Sequence, residues 1–476
     1  AAQILAGLLS FVGYLAFELT QLLLMRYVDA GTSGVRPVLL GPLAEACAVL
    51  LPAAVLQGMI LPAALSAFRG RHLASVVGRL YFWNTLGGIV GSLAAGFWWI
   101  PAYGVQTTLL TVVGIAAAAG SLLLAGAAAG WRRFAVPSAA AVGFALACLS
   151  LRGRHIPSEM RRAWVERASG GSSILHYEDG LEASVAVMDT GGTRTLLING
   201  VGVATVTDAT KMMAHIPLIL HPKPERTLVI CFGIGTTFRS ALRYPGSVTV
   251  VDLVPAVFST FRFFHPDAER WLADPRARVL ANDGRNHLLR EREGYDVVIV
   301  DPSPPLYAAG TVNIYDQDFY LLARRKLRPG GILAVWLPYY PESEYQMVMK
   351  SFLSSFPHSQ VWNASLDGGG ILMLGSDSPI SEDRARVGER LKRPEFREDF
   401  VGSGAALTKE DSFWKLYLGP GERFKEYLAS TPVVTDAYPW IEYPYFRSRR
   451  PEYLKPPAFL YWPPYGTSSK AARPGR

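Results

Sequence analysis

Residues 227–237 read TLVICFGIGTT: an apolar run, a turn carrying Gly233 and Gly235, and a helix-compatible segment, 236–243, directly behind it. A strand, a glycine turn and a helix in that order bring bare backbone N–H groups and the positive end of a helix up to a ligand. The next apolar stretch, 247–252, closes on Asp252, and an acid there can accept hydrogen bonds from ribose hydroxyls. A nucleoside-like ligand is expected.

Toward the carboxyl terminus, strands are predicted at 277–281, 296–301 and 331–337, with helical segments near 256–271, 285–292 and 319–327. This alternation predicts a parallel sheet with helices on both faces and binding at the carboxyl ends of its strands. Three of those ends carry acids: Asp252, Asp283 in ANDGRNHLL and Asp301 in VVIVDPSPP. A helix at 343–356 and strands near 360–362 and 370–375 are expected to complete the sheet. A dinucleotide fingerprint requires a third glycine three residues after Gly235, where Phe238 stands. A ribose and an adenine without a pyrophosphate fit better, with Asp252 on the ribose and Asp283 on the adenine amino group. That combination favours an S-adenosyl sulfonium. Asp301 is the candidate base or acceptor-orienting group, and capping of the turn behind it is its alternative role.

Toward the amino terminus, short alternating segments between 173 and 203, broken at Gly180, Gly191, Gly192 and Gly200, predict a small antiparallel sheet. A helix carrying Lys211 and His215 is expected over 208–220. The first 150 residues contain three acids, Glu18, Asp29 and Glu45. Their apolar segments, 4–25, 39–68, 80–100, 107–130 and 134–151, each reach or approach the ~20 residues a helix needs to cross a bilayer. Pro52 and Pro62 interrupt the second, predicting a kinked, tilted or re-entrant course. Along the third, Gly87, Gly91 and Ala95 form one small-residue stripe and Gly88, Ser92 and Gly96 another. Such stripes permit close helix packing, here expected within the chain, with a subunit contact as the alternative. Glu18 and Glu45 read as helix contacts near an interface, or as an ion or substrate path. Arg69, Arg71, Arg79, Arg132 and Arg133 put two loops on one side, while Arg152 and Arg154 favour the opposite orientation, so the membrane face of the soluble half stays open.

The net charge of +8 is scattered without a dense basic run, so nucleic acid is not an expected partner. Of the cysteines, Cys231 alone lies in the soluble half, which can therefore form no internal disulfide.

Residues 173–340 resemble the spermidine synthase family of polyamine aminopropyltransferases through LLINGVG, MMAHIPLILHPKPERTLVICFGIGTTFRSAL, VVDLVP, NDGRNHLL, YDVVIVDPSPP and DFYLLARRKLRPGGILAVWLP. They look most like the bacterial branch in which this domain is fused to membrane helices. FVGYLAFELTQLLLMRY and GRLYFWNTLGGIVGSLAAGFWWIPAYG resemble that branch as well. The resemblance implies that Gly233 and Gly235 hold the methionine-derived part of the sulfonium donor, Asp252 the ribose and Asp283 the adenine. It also implies that Asp301 takes the proton from an attacking amine. On the acceptor side the pattern departs: Pro304 stands at the family's second Asp, Ala209, Thr210 and Lys211 at its Tyr-His-Glu, Ile234 at the acid of the glycine turn, and Asn199-Gly200 at an Asp-Gly. A polycation needs paired carboxylates to offset its lost hydration, so the expected acceptor is not a polycation. Lys211, His215, Tyr307 and Tyr315 are the acceptor-side candidates.

The expected organisation is an α-helical transmembrane domain over 1–151, a linker over 152–172, a small β-sheet over 173–205 and an α/β Rossmann-like, class I methyltransferase-type domain over 206–380. An extension over 381–450 and a Pro-rich tail over 451–476 follow. The expected function is a membrane-anchored transferase of a bacterial inner membrane, moving an aminopropyl or methyl group from decarboxylated S-adenosylmethionine or S-adenosylmethionine itself. The alternatives are a catalytically inactive relative with a structural or binding role in a membrane complex, and a sensor coupling a ligand to the helices. The expected associates are a lipid bilayer, the donor and acceptor, and membrane protein partners or a second copy; no metal is expected.

Overall fold

The computed structural model describes residues 4–13, 35–66, 73–127, 135, 138, 141–144, 172–302, 310–338, 342–366, 368–401, 405–442 and 459. They fall into two compact units, Ala1–Ser184 and Val185–Arg476.

The first unit contains helices α1 (Ile4–Gly13), α2 (Val35–Ser66), α3 (Leu73–Ala94) and α4 (Ile100–Ala127), with a wide-turned segment, Ala95–Trp99, joining the last two. Strand β1 (Ser172–Asp179) closes it. Pro52 and Pro62 do not end α2, which runs for 32 residues. The break expected between the third and fourth apolar segments falls at Gly104, whose φ of 80° is a conformation that only glycine adopts freely. Directly after it, the backbone N–H of Val105 donates to Asp179 Oδ2 at 2.9 Å.

Two stretches, Ala46–Ser66 and Ala74–Leu123, are long and apolar enough to cross a membrane, and only 11% and 22% of their apolar windows are buried. Core helices of a soluble fold would be mostly buried; here Trp83, Phe97 and Leu122 lie exposed. A β-carbon placed on Gly87, Gly88, Gly91 or Gly96 would meet nothing within 4 Å from another element among the described residues, so no close helix contact is seen at these positions within that part of the chain. Glu18, most of the fifth apolar segment, the linker up to residue 171 and the tail apart from Phe459 lie outside the described residues.

The second unit opens on an antiparallel ladder, β2 (Ser184–Thr190), β3 (Thr193–Ile198) and β4 (Val201–Ala204). Asn199 and Gly200, at φ 48° and 78°, make the tight turn from β3 to β4, the use to which this chain puts the positions of the expected Asp-Gly. Helix α5 (Asp208–Leu220) follows, its start fixed by Thr207 and Thr210 capping one another.

The main sheet comprises β5 (Arg226–Ile230), β6 (Ser247–Asp252), β7 (Ala277–Ala281), β8 (Tyr295–Val300), β9 (Leu327–Leu337), β10 (His358–Asn363), β11 (Ile371–Ser376) and β12 (Tyr417–Pro420). Their order is β12-β10-β11-β9-β8-β5-β6-β7. Strands β5 to β9 are parallel, whereas β11 and β12 run against their neighbours, so the sheet is mixed at one edge. Side chains along β5 and β8 alternate between two cores: Val229, Val297 and Ile299 face one, and Leu228, Ile230, Val298 and Val300 the other. On the first face lie α5, α6 (Thr236–Leu242) and α7 (Ala256–Phe264); on the second lie α9 (Gly284–Arg290), α10 (Gln317–Arg325) and α11 (Glu342–Leu353). The helix expected over 256–271 breaks at His265-Pro266, where proline removes a helical donor, and resumes as α8 (Ala268–Leu272).

The stretch after residue 381 covers the α5 face. Its helix α12 (Arg384–Leu391) sends Arg390 to the open carbonyls of Leu218 and Ile219 at 3.1 and 2.8 Å, closing the carboxyl end of α5.

Candidate functional site

Strand order reverses between β5 and β8: β6 and β7 extend one way, and β9 extends the other. In open α/β sheets ligands bind in the crevice at that reversal, outside the carboxyl ends of the strands. The glycine turn follows β5 and Asp301 follows β8, so both stand at the reversal.

The turn is built for close approach. Cys231, Gly233 and Gly235 have φ of 70°, 53° and 77°. A β-carbon on Gly235 would lie 2.4 Å from the Phe261 ring, so both space and dihedral exclude any larger residue. Phe232, Phe238 and Phe261 form the floor, with Phe232 at 5.6 and 5.3 Å from the other two ring centres. Phe238, at the place of the missing third glycine, is part of that floor. Cys231 holds a left-handed conformation that costs an L-residue roughly 1–2 kcal/mol. Cys231→Gly is therefore expected to stabilise the chain by ~0.5–1 kcal/mol after the extra entropy of glycine is charged, as read from the midpoint of chemical unfolding.

Asp252 ties the turn to the end of β6. Its Oδ2 accepts from the Phe232 N–H at 2.7 Å and its Oδ1 from the Val254 N–H at 2.8 Å. Burial raises its pKa, and the surrounding backbone N–H groups work against that rise. The N–H groups of Gly233 and Leu253 also face this carboxylate, so it is ringed by backbone donors of the turn and of the end of β6. Asp283 caps α9, accepting from the Asn286 N–H at 2.7 Å.

Asp301 is held from two directions. Its backbone N–H donates to the Ile230 carbonyl at 3.0 Å, fastening the end of β8 to β5. Its Oδ2 lies 2.6 Å from the hydroxyl of Thr237, the second residue of α6. Desolvation, with a smaller contribution from the nearby Asp252 charge, pushes its pKa up to about 6 against the Thr237 hydrogen bond. A carboxylate with a pKa in that range can accept a proton near neutrality.

The acceptor-side candidates are not brought together. His215 is fully buried on the opposite side of α5, between Tyr244 Oη at 2.8 Å from Nδ1 and Asp399 Oδ2 at 3.0 Å from Nε2, and burial lowers its pKa. Lys211, one turn earlier on that flank, is buried with its Nζ 3.5 Å from Asp208 and 5.1 Å from the Phe400 ring centre. Tyr315 lies in the core, donating its hydroxyl to the Trp336 carbonyl at 3.1 Å. All three side chains are buried, each held by contacts within the chain. Tyr307 lies outside the described residues. From α5, the Thr210 carbonyl accepts from Thr237, Asp301's partner, at 2.9 Å, with Met213 Sδ at 4.0 Å from the same hydroxyl.

Two groups carry no expectation from the sequence. The loop between β10 and β11 holds Gly368, Gly369 and Gly370 at φ 102°, 96° and 97°, with the Trp336 indole donating to the Gly369 carbonyl at 2.8 Å. A β-carbon on Gly369 would lie 3.2 Å from Cβ of Ala209, so this loop borders the start of α5. Beneath α6, Asp399 accepts from Ser240 at 2.5 Å and pairs with Arg239 and Arg243 as well as His215. A run of consecutive glycines is a visible signal for the loop; nothing in the local sequence marks Asp399.

The sheet order, the glycine turn at its reversal point and the acid after β6 define a Rossmann-like domain of the class I methyltransferase type. Within that class, residues 207–356 match the family model described as "Spermine/spermidine synthase domain". The polyamine aminopropyltransferase of Bacillus subtilis is 31% identical over 160 residues, covering 33% of this chain and 57% of that enzyme. That of Moorella thermoacetica is 29% identical over 199 residues, covering 40% of this chain and 70% of the relative. The chain thus spans little more than half the length of the first of these relatives. The crystal structure of spermidine synthase from Thermotoga maritima aligns over 54% of this chain and 87% of its own, at 17% identity and a TM-score of 0.45.

Proposed function

We propose that this chain is a membrane-anchored transferase that binds a sulfonium nucleoside at the glycine turn and passes its aminopropyl group to a nucleophile deprotonated by Asp301. The observation that carries the reading is the Asp301 carboxylate, desolvated and held at the strand reversal beside Asp252 and the turn. The matched relatives, named polyamine aminopropyltransferases, favour decarboxylated S-adenosylmethionine as donor over S-adenosylmethionine. The reaction is a displacement at carbon: the nucleophile's lone pair forms the new bond, the carbon–sulfur bond breaks, and a neutral thioether leaves. Asp301 takes the nucleophile's proton. Its alignment with the donor supplies much of the rate.

The acceptor proposed is not a polycation. Ala209, Thr210 and Ile234 bring no carboxylate to the positions where the resemblance expects polar or acidic groups, and Ile234 is buried against the aromatic floor. The low burial of Ala46–Ser66 and Ala74–Leu123 supports lipid as the medium around the first unit.

Calorimetric titration of the full-length protein with each donor tests the reading. One of the two is expected to bind, and Asp252→Ala is expected to weaken it at least tenfold by removing the ribose acceptor and loosening Phe232 and Val254. Failure of both donors to bind the unaltered protein would sink the enzyme reading in favour of an inactive relative.

A further inference from the structure

Thr237 presents one hydroxyl to two oxygens: Oδ2 of Asp301 at 2.6 Å and the carbonyl of Thr210 at 2.9 Å, with Met213 Sδ at 4.0 Å. A hydroxyl carries a single proton, and a carbonyl can only accept. When the proton points to Asp301, the carboxylate is ionised and accepts. When it points to Thr210, the 2.6 Å contact persists only if Asp301 carries a proton and donates to Thr237. The two arrangements use the same heavy-atom positions.

The surroundings lock those positions. Thr237 is 1% exposed on the first turn of α6, directly behind the glycine turn. Thr210 is fixed by the mutual capping with Thr207, its own hydroxyl donating to the Thr207 carbonyl at 2.7 Å. Asp301 is tied by its backbone to β5. Among the described residues, the charged group acting on Asp301 is Asp252 at the end of β6; α5 and α6 offer it Thr237, backed by Thr210 and Met213.

We propose that Thr237 is the positioning residue of Asp301, holding its carboxyl in one place in both protonation states by donating to the carboxylate and accepting from the acid while Thr210 takes the hydroxyl proton. This rests on Asp301 being the group that takes the acceptor's proton. Asp301 then need not swing or recruit water when that proton arrives, and the hydroxyl proton turns from Asp301 to the Thr210 carbonyl. Thr237 touches neither donor nor acceptor in this role.

The test reads Asp301 itself. Infrared difference titration of the full-length protein, with the Asp301→Asn spectrum subtracted, isolates the carboxylic acid C=O stretch of Asp301. The unaltered protein should lose that band on raising the pH, with a midpoint near 6. Thr237→Val should move the midpoint up by about one pH unit, because the charged form loses its donor, and shift the band to higher frequency, because the acid loses its acceptor. Thr237→Ser should restore both. Thr237→Ala, which removes volume instead of altering it, must shift the midpoint in the same direction as valine. Unchanged midpoint and frequency in both hydroxyl-free variants would overturn the proposal. No donor, acceptor or turnover enters this measurement, so failure of the transferase reading shows in the calorimetry and leaves the titration readable.

Discussion

Asp301→Asn is expected to lower the rate of aminopropyl transfer by two to four orders of magnitude while donor affinity changes by no more than a few-fold. General base catalysis by a positioned side chain contributes about 10²–10⁴, and asparagine keeps the shape and the hydrogen bond to Thr237 but cannot take the proton. The measurement is release of the thioether nucleoside from decarboxylated S-adenosylmethionine with a panel of neutral and anionic nucleophiles, beside donor titration of the same variant. An equal loss in donor affinity would instead make Asp301 part of the donor's binding site. A stability change of opposite sign accompanies the loss. The Asp301 pKa is raised in the folded chain, so the unfolded chain sheds its proton first, and stability falls as pH rises from about 4 to about 6. Asparagine has no such titration. Well above pH 6 the variant should exceed the unaltered protein by up to ~3 kcal/mol, with no gain near pH 4. Catalytic groups commonly carry this trade between activity and stability.

What the sequence made legible in this site is what depends on local chemistry. Gly233 and Gly235 sit between an apolar run and a helix, and Asp252, Asp283 and Asp301 close stretches whose strand character is plain from their composition; each stands at a strand end in the fold. The facing of α5 was not legible in the same way. Ala209 and every residue from Lys211 to Leu220 are buried, so this helix has no solvent side for periodicity to reveal. Lys211 and His215 are ionisable groups on the helix before the glycine turn, yet the chain turns them toward Phe400 and Asp399, and Thr210 meets Thr237 through a backbone carbonyl whose side-chain identity is immaterial. The mixed edge of the sheet was also hidden. β11 reads as a short apolar run, Ile371 to Leu374, in a strand whose six residues are all buried, and such a run is equally at home in a parallel or an antiparallel position.

The group least visible in the sequence carries the largest expected effect on stability. Asp399 contacts His215 from 184 positions away, and its carboxylate also takes Ser240 from α6 and the guanidinium groups of Arg239 and Arg243. These contacts join the carboxyl-terminal cover to the two helices that flank the glycine turn. The His215 hydrogen bond and the neighbouring positive charges hold the Asp399 carboxyl well below the usual carboxylate range despite its burial. Removing one partner from such a cluster costs more than the pair contributed, because the remaining charges stay desolvated. Asp399→Ala is therefore expected to destabilise the second unit by ~3 kcal/mol or more, and Asp399→Asn by nearly as much, since asparagine restores shape without charge. Arg239 keeps its second partner, Asp267, at 3.0 Å, which places the effect toward the lower end of the ~3–5 kcal/mol range for broken buried pairs. The sign with pH is opposite to that of Asp301. A depressed pKa contributes stability that is fully present above the unfolded value of about 4 and is lost as pH falls toward the folded value, so the difference between the unaltered protein and Asp399→Asn should shrink below pH 4 and be constant above pH 5. Urea unfolding followed by tryptophan fluorescence at a series of pH values reads both the size and the slope. A difference under 1 kcal/mol at pH 7 would mean that the carboxyl-terminal cover is held by its apolar contacts, Phe396, Phe400 and Phe413 among them, and that the charge cluster contributes little.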